Sequence, residues 1–426
     1  MSTSSLIYAM DFGTSNSLLG AANASHIFPL APLDPESPEP EVLRSLMYFE
    51  PQQPARFGLE AIRRYSDNSM NGRFLRSFKR FLPMKSFENT LIDGKLWSLE
   101  EIVGRFLREM RERANAHYAS DVDAVVMGRP AAFSEVAEAD ALAQKRLEAA
   151  ARLAGFKHVE FLAEPVAAAY RFRSEMKREE LVLVADFGGG TSDYTVLRLS
   201  KAEFRPSDVL AVGGAALAGD ALDATLMRHH VARNFGSEVS YKVPFGSNVL
   251  QMPKGIIANL NSTAHINFLN SRENRDFLQR VKTWSLGPED ERAMEQLAVL
   301  LENQLGFSVF ESIEAAKRDL SSLDKTRIVF EYPGIRIREA VTRKQFESDS
   351  RDEIASIFGA LDATLQKAGV VASDIDRVCC TGGSAKARVV REGLRARFGE
   401  DRIENFRNFT SIVEGLSERA QQLKRL

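Results

Sequence analysis

Short apolar runs that stop at a glycine cluster recur along the chain, and they predict strands ending in tight turns. Residues 6–10 run into Asp11-Phe12-Gly13-Thr14-Ser15-Asn16-Ser17. Residues 181–184 run into Asp186-Phe187-Gly188-Gly189-Gly190-Thr191-Ser192-Asp193, and a second apolar run follows at 194–197. An apolar run, a glycine turn and another apolar run read as strand, turn, strand. Glycines leave the backbone N–H groups uncovered, and a carboxylate at the turn's entry can hold a hydrated divalent cation. Each stretch is therefore either a plain hairpin or a phosphate cradle. The pattern occurs twice at long spacing, which suggests two related halves serving one ligand, with Asp11 and Asp186 meeting at one metal.

Helical periodicity fills the intervals. Ser98-Leu99-Glu100-Glu101 is a capping box, and Ile102, Val103, Phe106, Leu107 and Met110 follow at helical spacing. A strand is expected at 124–127, then a long helix capped by Ser134 and stopped at Gly155. Pro165 suits the first turn of another helix, with Glu164 at its entrance. Further strands are expected at 46–49, 209–212 and 377–380, and a hairpin turning through Pro333-Gly334. Helices are expected at 220–231, 289–303, 309–320 and 342–368, from 386, and after 409. The Asn- and Ser-rich stretch 235–287 has weak periodicity and reads as part of an inserted subdomain. The basic, aromatic stretch 72–83 reads as a helix whose Arg and Lys side chains snorkel, with RNA binding the less favoured alternative. Short strands alternating with longer helices predict an α/β architecture.

Length changes this picture only by requiring two or more domains, since 426 residues exceed one ordinary core. A formal net charge of -2 argues against a nucleic-acid partner. No apolar run approaches the ~20 residues of a membrane span, and the first residues lack a basic n-region. The two cysteines, Cys379 and Cys380, are adjacent in an apolar run and read as a buried strand. His229-His230 reads as helix surface. A cytoplasmic protein without a membrane or nucleic-acid partner is expected.

Taken in order, these stretches resemble the ATPase domain of the seventy-kilodalton heat-shock chaperones (DnaK type), in the actin-like ATPase superfamily. The likeness runs from residue 7 to about 415. Residues 7–17 and 184–193 resemble the family's two phosphate motifs, and 126–133 with Glu164-Pro165 its connecting segment. Phe78-Lys79-Arg80-Phe81-Leu82 resembles the segment that bears its catalytic lysine. Glu314-Ala315-Ala316-Lys317-Arg318-Asp319-Leu320-Ser321 is similar to its adenosine helix, and Thr381-Gly382-Gly383-Ser384 to its last nucleotide motif.

The resemblance implies a two-lobed actin-like fold with duplicated ribonuclease-H-like cores: lobe I over 1–180 and lobe II over 181–426. It places a divergent outer subdomain at about 232–308 and packs the C-terminal helix back on lobe I. It implies ATP or ADP with Mg2+ as ligands. Asp11 and Asp186 would hold the metal. Gly13, Thr14, Ser15 and Asn16, with Gly188, Gly189, Gly190 and Thr191, would hold phosphates. Glu164 would orient the attacking water, Lys79 would stabilise the γ-phosphoryl, and Thr191 would assist. Asp193 and Asp220 would help at the metal or in the cleft. Glu314, Lys317, Arg318 and Ser321 would meet the adenosine, with Gly382, Gly383, Ser384 and Lys386 on its other face. These roles suit phosphoryl transfer, which needs positioning and charge neutralisation.

The chain departs from the family in three respects. No peptide-binding domain is expected, a layout most like the YegD-type homologues. Asn408-Phe409-Thr410 stands where the family has Asn-Pro-Asp. Lys386 replaces an adenine-stacking arginine, whose planar group stacks better than an ammonium. The implied function is a weak Mg-dependent, chaperone-like ATPase whose lobe closure is read by a protein partner or co-chaperone. A small-molecule kinase of the same superfamily and a non-catalytic nucleotide-dependent scaffold stay open beside it.

Overall fold

The run 7–12 becomes the strand Ile7–Phe12, and all six of its residues are buried. A continuous apolar strand of this kind must be covered on both faces. In the computed structural model it lies inside a six-stranded sheet. The structure describes residues 6–68, 72–134, 136–173, 176–200, 205–263, 265–404 and 410–423. Ile7–Phe12 pairs antiparallel with Asn16–Ala22 and parallel with Ala124–Arg129, which in turn pairs parallel with His158–Ala163. A four-stranded sheet repeats the motif: Glu180–Phe187 pairs antiparallel with Ser192–Leu199 and parallel with Arg377–Thr381.

Strand alternation sends side chains to two cores. Tyr8, Met10 and Phe12 face one cluster, with Phe106 and Met110 of the helix Leu99–Tyr118 and Leu147 of the helix Ala137–Leu153. Ile7 and Ala9 face the other, with Val182 and Val184 of the second sheet. Ala167 of the helix Glu164–Arg173 and Val413 and Leu416 of the helix Ser411–Leu423 fill that space. The C-terminal helix comes so close that a Cβ at Gly415 would sit 1.8 Å from the Ala167 carbonyl oxygen. Both bonds of the expected capping box form: Glu101 N–H donates to Ser98 Oγ at 3.1 Å, and Ser98 N–H to Glu101 Oε2 at 2.8 Å.

The chain divides into two compact units, one of residues 1–214, 360–385 and 395–426, the other of 215–359 and 386–394. The first holds both sheets. The second is built on the hairpin Lys325–Tyr332/Ile335–Thr342 and the helices Gly219–Leu226, Pro288–Glu302 and Gly306–Asp319. Among the described residues no helix is long and apolar enough to cross a membrane. Both cysteines are free; Cys379 is buried and Cys380 half-buried in Arg377–Thr381.

Several local expectations need correction. The stretch 73–81 is not one helix. Arg73–Arg76 is a strand paired with Leu46–Phe49, and a 3-10 turn, Phe78–Phe81, follows Ser77, whose φ of 53° breaks the strand. Stretch 235–287 contains the helices Lys254–Leu260 and Arg272–Trp284, the latter capped by Ser271. The helix expected over 342–368 is two, Arg343–Asp349 and Arg351–Lys367, parted at buried Ser350, whose hydroxyl bonds the Phe346 carbonyl. The helix after Ser134 begins at Ala137, and Ser134 Oγ instead accepts from Val136 N–H.

Candidate functional site

The two hairpin acids end buried strands, so the sheets fix them in place. Asp11 stands opposite Leu18, whereas Asp186 stands directly opposite Asp193 and beside Thr381. Like charges paired across strands are destabilising unless a cation or a proton intervenes. The second hairpin closes with Gly188 N–H donating to the Thr191 carbonyl at 3.0 Å. Thr191 Oγ1 donates to Asp193 Oδ2 and Thr381 Oγ1 to Asp186 Oδ1, each at 2.8 Å. Residues 382–384 strap this turn. Gly382 has φ +81°, and a Cβ there would lie 2.2 Å from the Phe187 carbonyl oxygen and 2.7 Å from Asp186 Oδ1. Ser384 Oγ donates to the Gly188 carbonyl at 2.8 Å. The first hairpin is braced differently. Ser45 Oγ donates to the Gly13 carbonyl at 2.7 Å, and Ser45 N–H donates to the Ser15 carbonyl at 2.8 Å. Ser15 is left exposed at the tip, between Thr14 and Asn16.

Lys79 and Glu164 meet in the same unit. Lys79 Nζ lies 2.8 Å from Glu164 Oε1, and the two side chains are 9% and 12% exposed. The ammonium also sits 5.7 Å from the centre of the Phe12 ring, a cation–π distance. The Lys79 ammonium pairs with Glu164, and its charge also acts on Asp11, Asp186 and Asp193. Burial raises Asp11 well above the usual carboxylate range, and the charges of Glu164 and Asp186 add to this. Burial, then Glu164 and Asp193, push Asp186 to about 7. Burial pushes Asp193 to about 6, against the Thr191 hydrogen bond. Lys79 is raised: burial alone would lower it, but Glu164 and Asp11 win. A cavity lined by Glu164, Asp186, Asp193 and Thr381 opens beside the pair, walled by Pro130 and Ile412.

This surplus of buried negative charge fits a cation. Among the described residues no three His, Cys, Asp or Glu side chains gather closely enough to chelate an ion directly. Carboxylate oxygens are hard donors, the type that suits a hard divalent ion.

The expected adenosine residues lie in the second unit, apart from Gly382, Gly383 and Ser384. Lys317 Nζ pairs with Asp223 Oδ2 at 2.8 Å and donates to the Gly219 carbonyl at 3.1 Å. Glu314 and Arg318 form a helical pair at 3.5 Å, and Ser321 Oγ reaches the Lys317 carbonyl at 3.5 Å. Lys386 ends the 3-10 turn Gly383–Lys386. Asp220 lies on the helix Gly219–Leu226, but the Lys317 partner on that helix is Asp223. Burial pushes Asp223 to about 6, and its Oδ1 has no hydrogen-bond partner among the described residues. Asn408 and Phe409 lie outside the described residues.

Sequence reasoning did not find the roles of Thr381, Ser45 or Asp223. Thr381 and Ser45 act through strand register and loop approach, which local pattern does not encode. Asp223 lies three positions from Asp220 on the same helix, so helical spacing alone could have offered it.

A profile of the family described as "Hsp70 protein" matches residues 63–251 and 293–415. A protein named chaperone protein HscA homolog from Shewanella putrefaciens (strain CN-32) is 24% identical over 413 residues, covering 93% of this chain and 55% of that protein. Another chaperone protein HscA homolog, from Burkholderia mallei (strain SAVP1), is 26% identical over 316 residues, covering 74% of this chain and 40% of that protein. The chain thus spans about half the length, or less, of these curated relatives.

Proposed function

The chain belongs to the Hsp70 protein family, whose α/β actin-like ATPase fold it shares, and from that premise we propose that it binds ATP with Mg2+ and hydrolyses it slowly. The observation that carries the reading is that Glu164, paired with Lys79, lines one cavity with Asp186 and Asp193, while the charge of Asp11 acts on the same Lys79. Backbone N–H groups of residues 13–15 and 189–191 would cradle the phosphates, as glycine-rich turns do, with Gly188 N–H closing the turn beneath them. Asp11 and Asp186 would hold the hydrated magnesium, with Asp193 near it; when bound, the ion neutralises charge on the phosphate oxygens.

The rest of the reaction falls to the chain's own groups. Lys79 offers three N–H donors, and Glu164 uses one of them, so the ammonium retains donors for a phosphoryl oxygen. Glu164 accepts from Lys79 and, as a carboxylate, has further acceptor capacity for a water's proton. Proline, alanine and isoleucine walls limit water at that point. Thr191 holds Asp193 and closes the turn around the phosphate cradle. Glu314, Lys317, Arg318 and Ser321, with Gly382, Gly383, Ser384 and Lys386, are the proposed adenosine contacts.

At the level of the whole protein we propose a chaperone-type ATPase whose nucleotide state closes two lobes, divided near residue 180, and is read by a protein partner in the cytoplasm. The names of its relatives and their family support this. Calorimetric titration with MgATP and MgADP tests it, together with turnover of Lys79→Ala and Glu164→Gln. We expect measurable binding in all three proteins and hydrolysis reduced by roughly 10²–10³ in both variants, the range for loss of an electrostatic or acid–base group. A folded wild-type chain that takes up no nucleotide would overturn the reading.

A further inference from the structure

Lys79 stands on an irregular piece of backbone. Its turn, Phe78–Phe81, is a four-residue 3-10 helix, entered through Ser77 at φ 53° and left without a side-chain cap. Short 3-10 turns have poor hydrogen-bond geometry, and a non-glycine residue in the left-handed region persists only where its surroundings over-determine it. The chain then runs through consecutive turns, with Leu82 N–H donating to the Lys79 carbonyl at 3.1 Å, Met84 N–H to Phe81 at 3.0 Å and Phe87 N–H to Met84 at 3.1 Å.

One side chain gathers this whole segment. Arg146, on the helix Ala137–Leu153, is only 8% exposed. Its Nη1 donates to the carbonyls of Leu82 at 3.2 Å and Met84 at 2.9 Å, with a longer approach to Phe81 at 3.5 Å. Its Nη2 donates to the Phe87 carbonyl at 2.9 Å, and its Nε lies 3.3 Å from Glu100 Oε1. A planar guanidinium has the fixed fork of donors needed to reach carbonyls in several directions, which an ammonium lacks. The Phe81 and Phe87 rings stack 5.0 Å apart in the same segment.

We infer that Arg146 is the positioning residue of the phosphoryl-transfer lysine: by binding the carbonyls of residues 81–87 it holds the turn that aims Lys79 at Glu164. The inference rests on the functional reading above for its catalytic meaning, but the placement of Lys79 can be read without turnover. Among the described residues no hydrogen bond or ion pair joins Arg146 to Lys79 or to the cavity side chains, so its hold on Lys79 runs through the backbone of 81–87.

Nucleotide-free protein is reductively methylated, and Lys79 modification is followed by mass spectrometry against exposed Lys344 as internal reference. Arg146→Met and the milder Arg146→Lys should raise Lys79 labelling at least tenfold while both keep a cooperative thermal transition. Arg111→Met is the control. It removes another arginine bound to a backbone carbonyl, that of Val122 at 2.7 Å, and should leave Lys79 at the wild-type rate. In steady-state ATPase assays Arg146→Lys should lower kcat at least tenfold and change nucleotide affinity less than twofold. Wild-type labelling of Lys79 in either folded Arg146 variant overturns the inference, and so does equal labelling in Arg111→Met. If Arg146→Met does not fold, Arg146→Lys decides alone. If wild-type protein shows no turnover, the functional reading fails and the labelling still decides for or against Arg146.

Discussion

At the residue scale, most of the chemistry comes from carboxylates placed where they cannot be comfortable. Asp186 faces Asp193 across a strand pair, and among the described residues the cation that offsets them is Lys79, already engaged by Glu164. Asp223 shows the same tension in the second unit without any expected ion. Its ordinary value of 3.8 rises to about 6 on burial, even with Lys317 beside it. Between those values the folded chain keeps a proton that the unfolded chain has lost. The stability from this group is therefore whole below pH 3.8 and declines as pH rises through about 6. Replacing the pair together, Asp223→Asn with Lys317→Met, should remove that slope without leaving a lone buried charge. Urea midpoints measured from about pH 4 to about pH 7 should fall less steeply in the double variant than in wild type. An unchanged slope would refute the assignment.

Elements were legible where one local pattern sufficed. The Asp-Phe-Gly turns, the Ser98 capping box and the apolar strand 7–12 each carry their signal within a few residues. Lys79 and Glu164 lie 85 positions apart, and nothing local says that they touch; only the resemblance brought them together. The helix Arg272–Trp284 escaped because it buries just Leu278 and Val281, too few positions to print a period on the sequence. The stretch 73–81 misled because arginines and phenylalanines mixed in a short run suit a snorkelling helix and a strand-plus-turn alike. Two predictions belong at this scale. Ser98→Ala removes a cap bond and should cost about 1 kcal/mol, read as a lower urea midpoint with unchanged m-value. Gly415→Ala forces a Cβ against the Ala167 backbone and should cost roughly 1–3 kcal/mol, as overpacking does. A neutral Gly415→Ala would mean that the C-terminal helix does not seat as described.

At the scale of the molecule, the second unit interrupts the first in sequence without supplying its core. Residue 212 and residue 367 flank most of that interruption, yet Lys367 Nζ donates to the Val212 carbonyl at 3.1 Å. The ends are therefore close within the first unit, and a short Gly/Ser linker should replace residues 215–359 without pulling the sheets apart. Such a chain should keep a cooperative, if lowered, unfolding transition and protected Lys79. The lowering is expected because Gly393, whose Cβ would meet the Phe358 ring at 2.3 Å, loses its packing partner. Failure to fold would show that the first unit depends on the second.

The adjacent thiols of the strand Arg377–Thr381 have a practical consequence. Burial pushes Cys380 to about 12 and Cys379 well above the ordinary thiol value, so neither offers appreciable thiolate near neutrality. Cys379 is also buried, so an alkylating reagent traps it in the moments when that edge of the second sheet lets go. Cys379 is thus a native clock for breathing of the protein, and a ligand seated on Asp186 next door should slow its ticking.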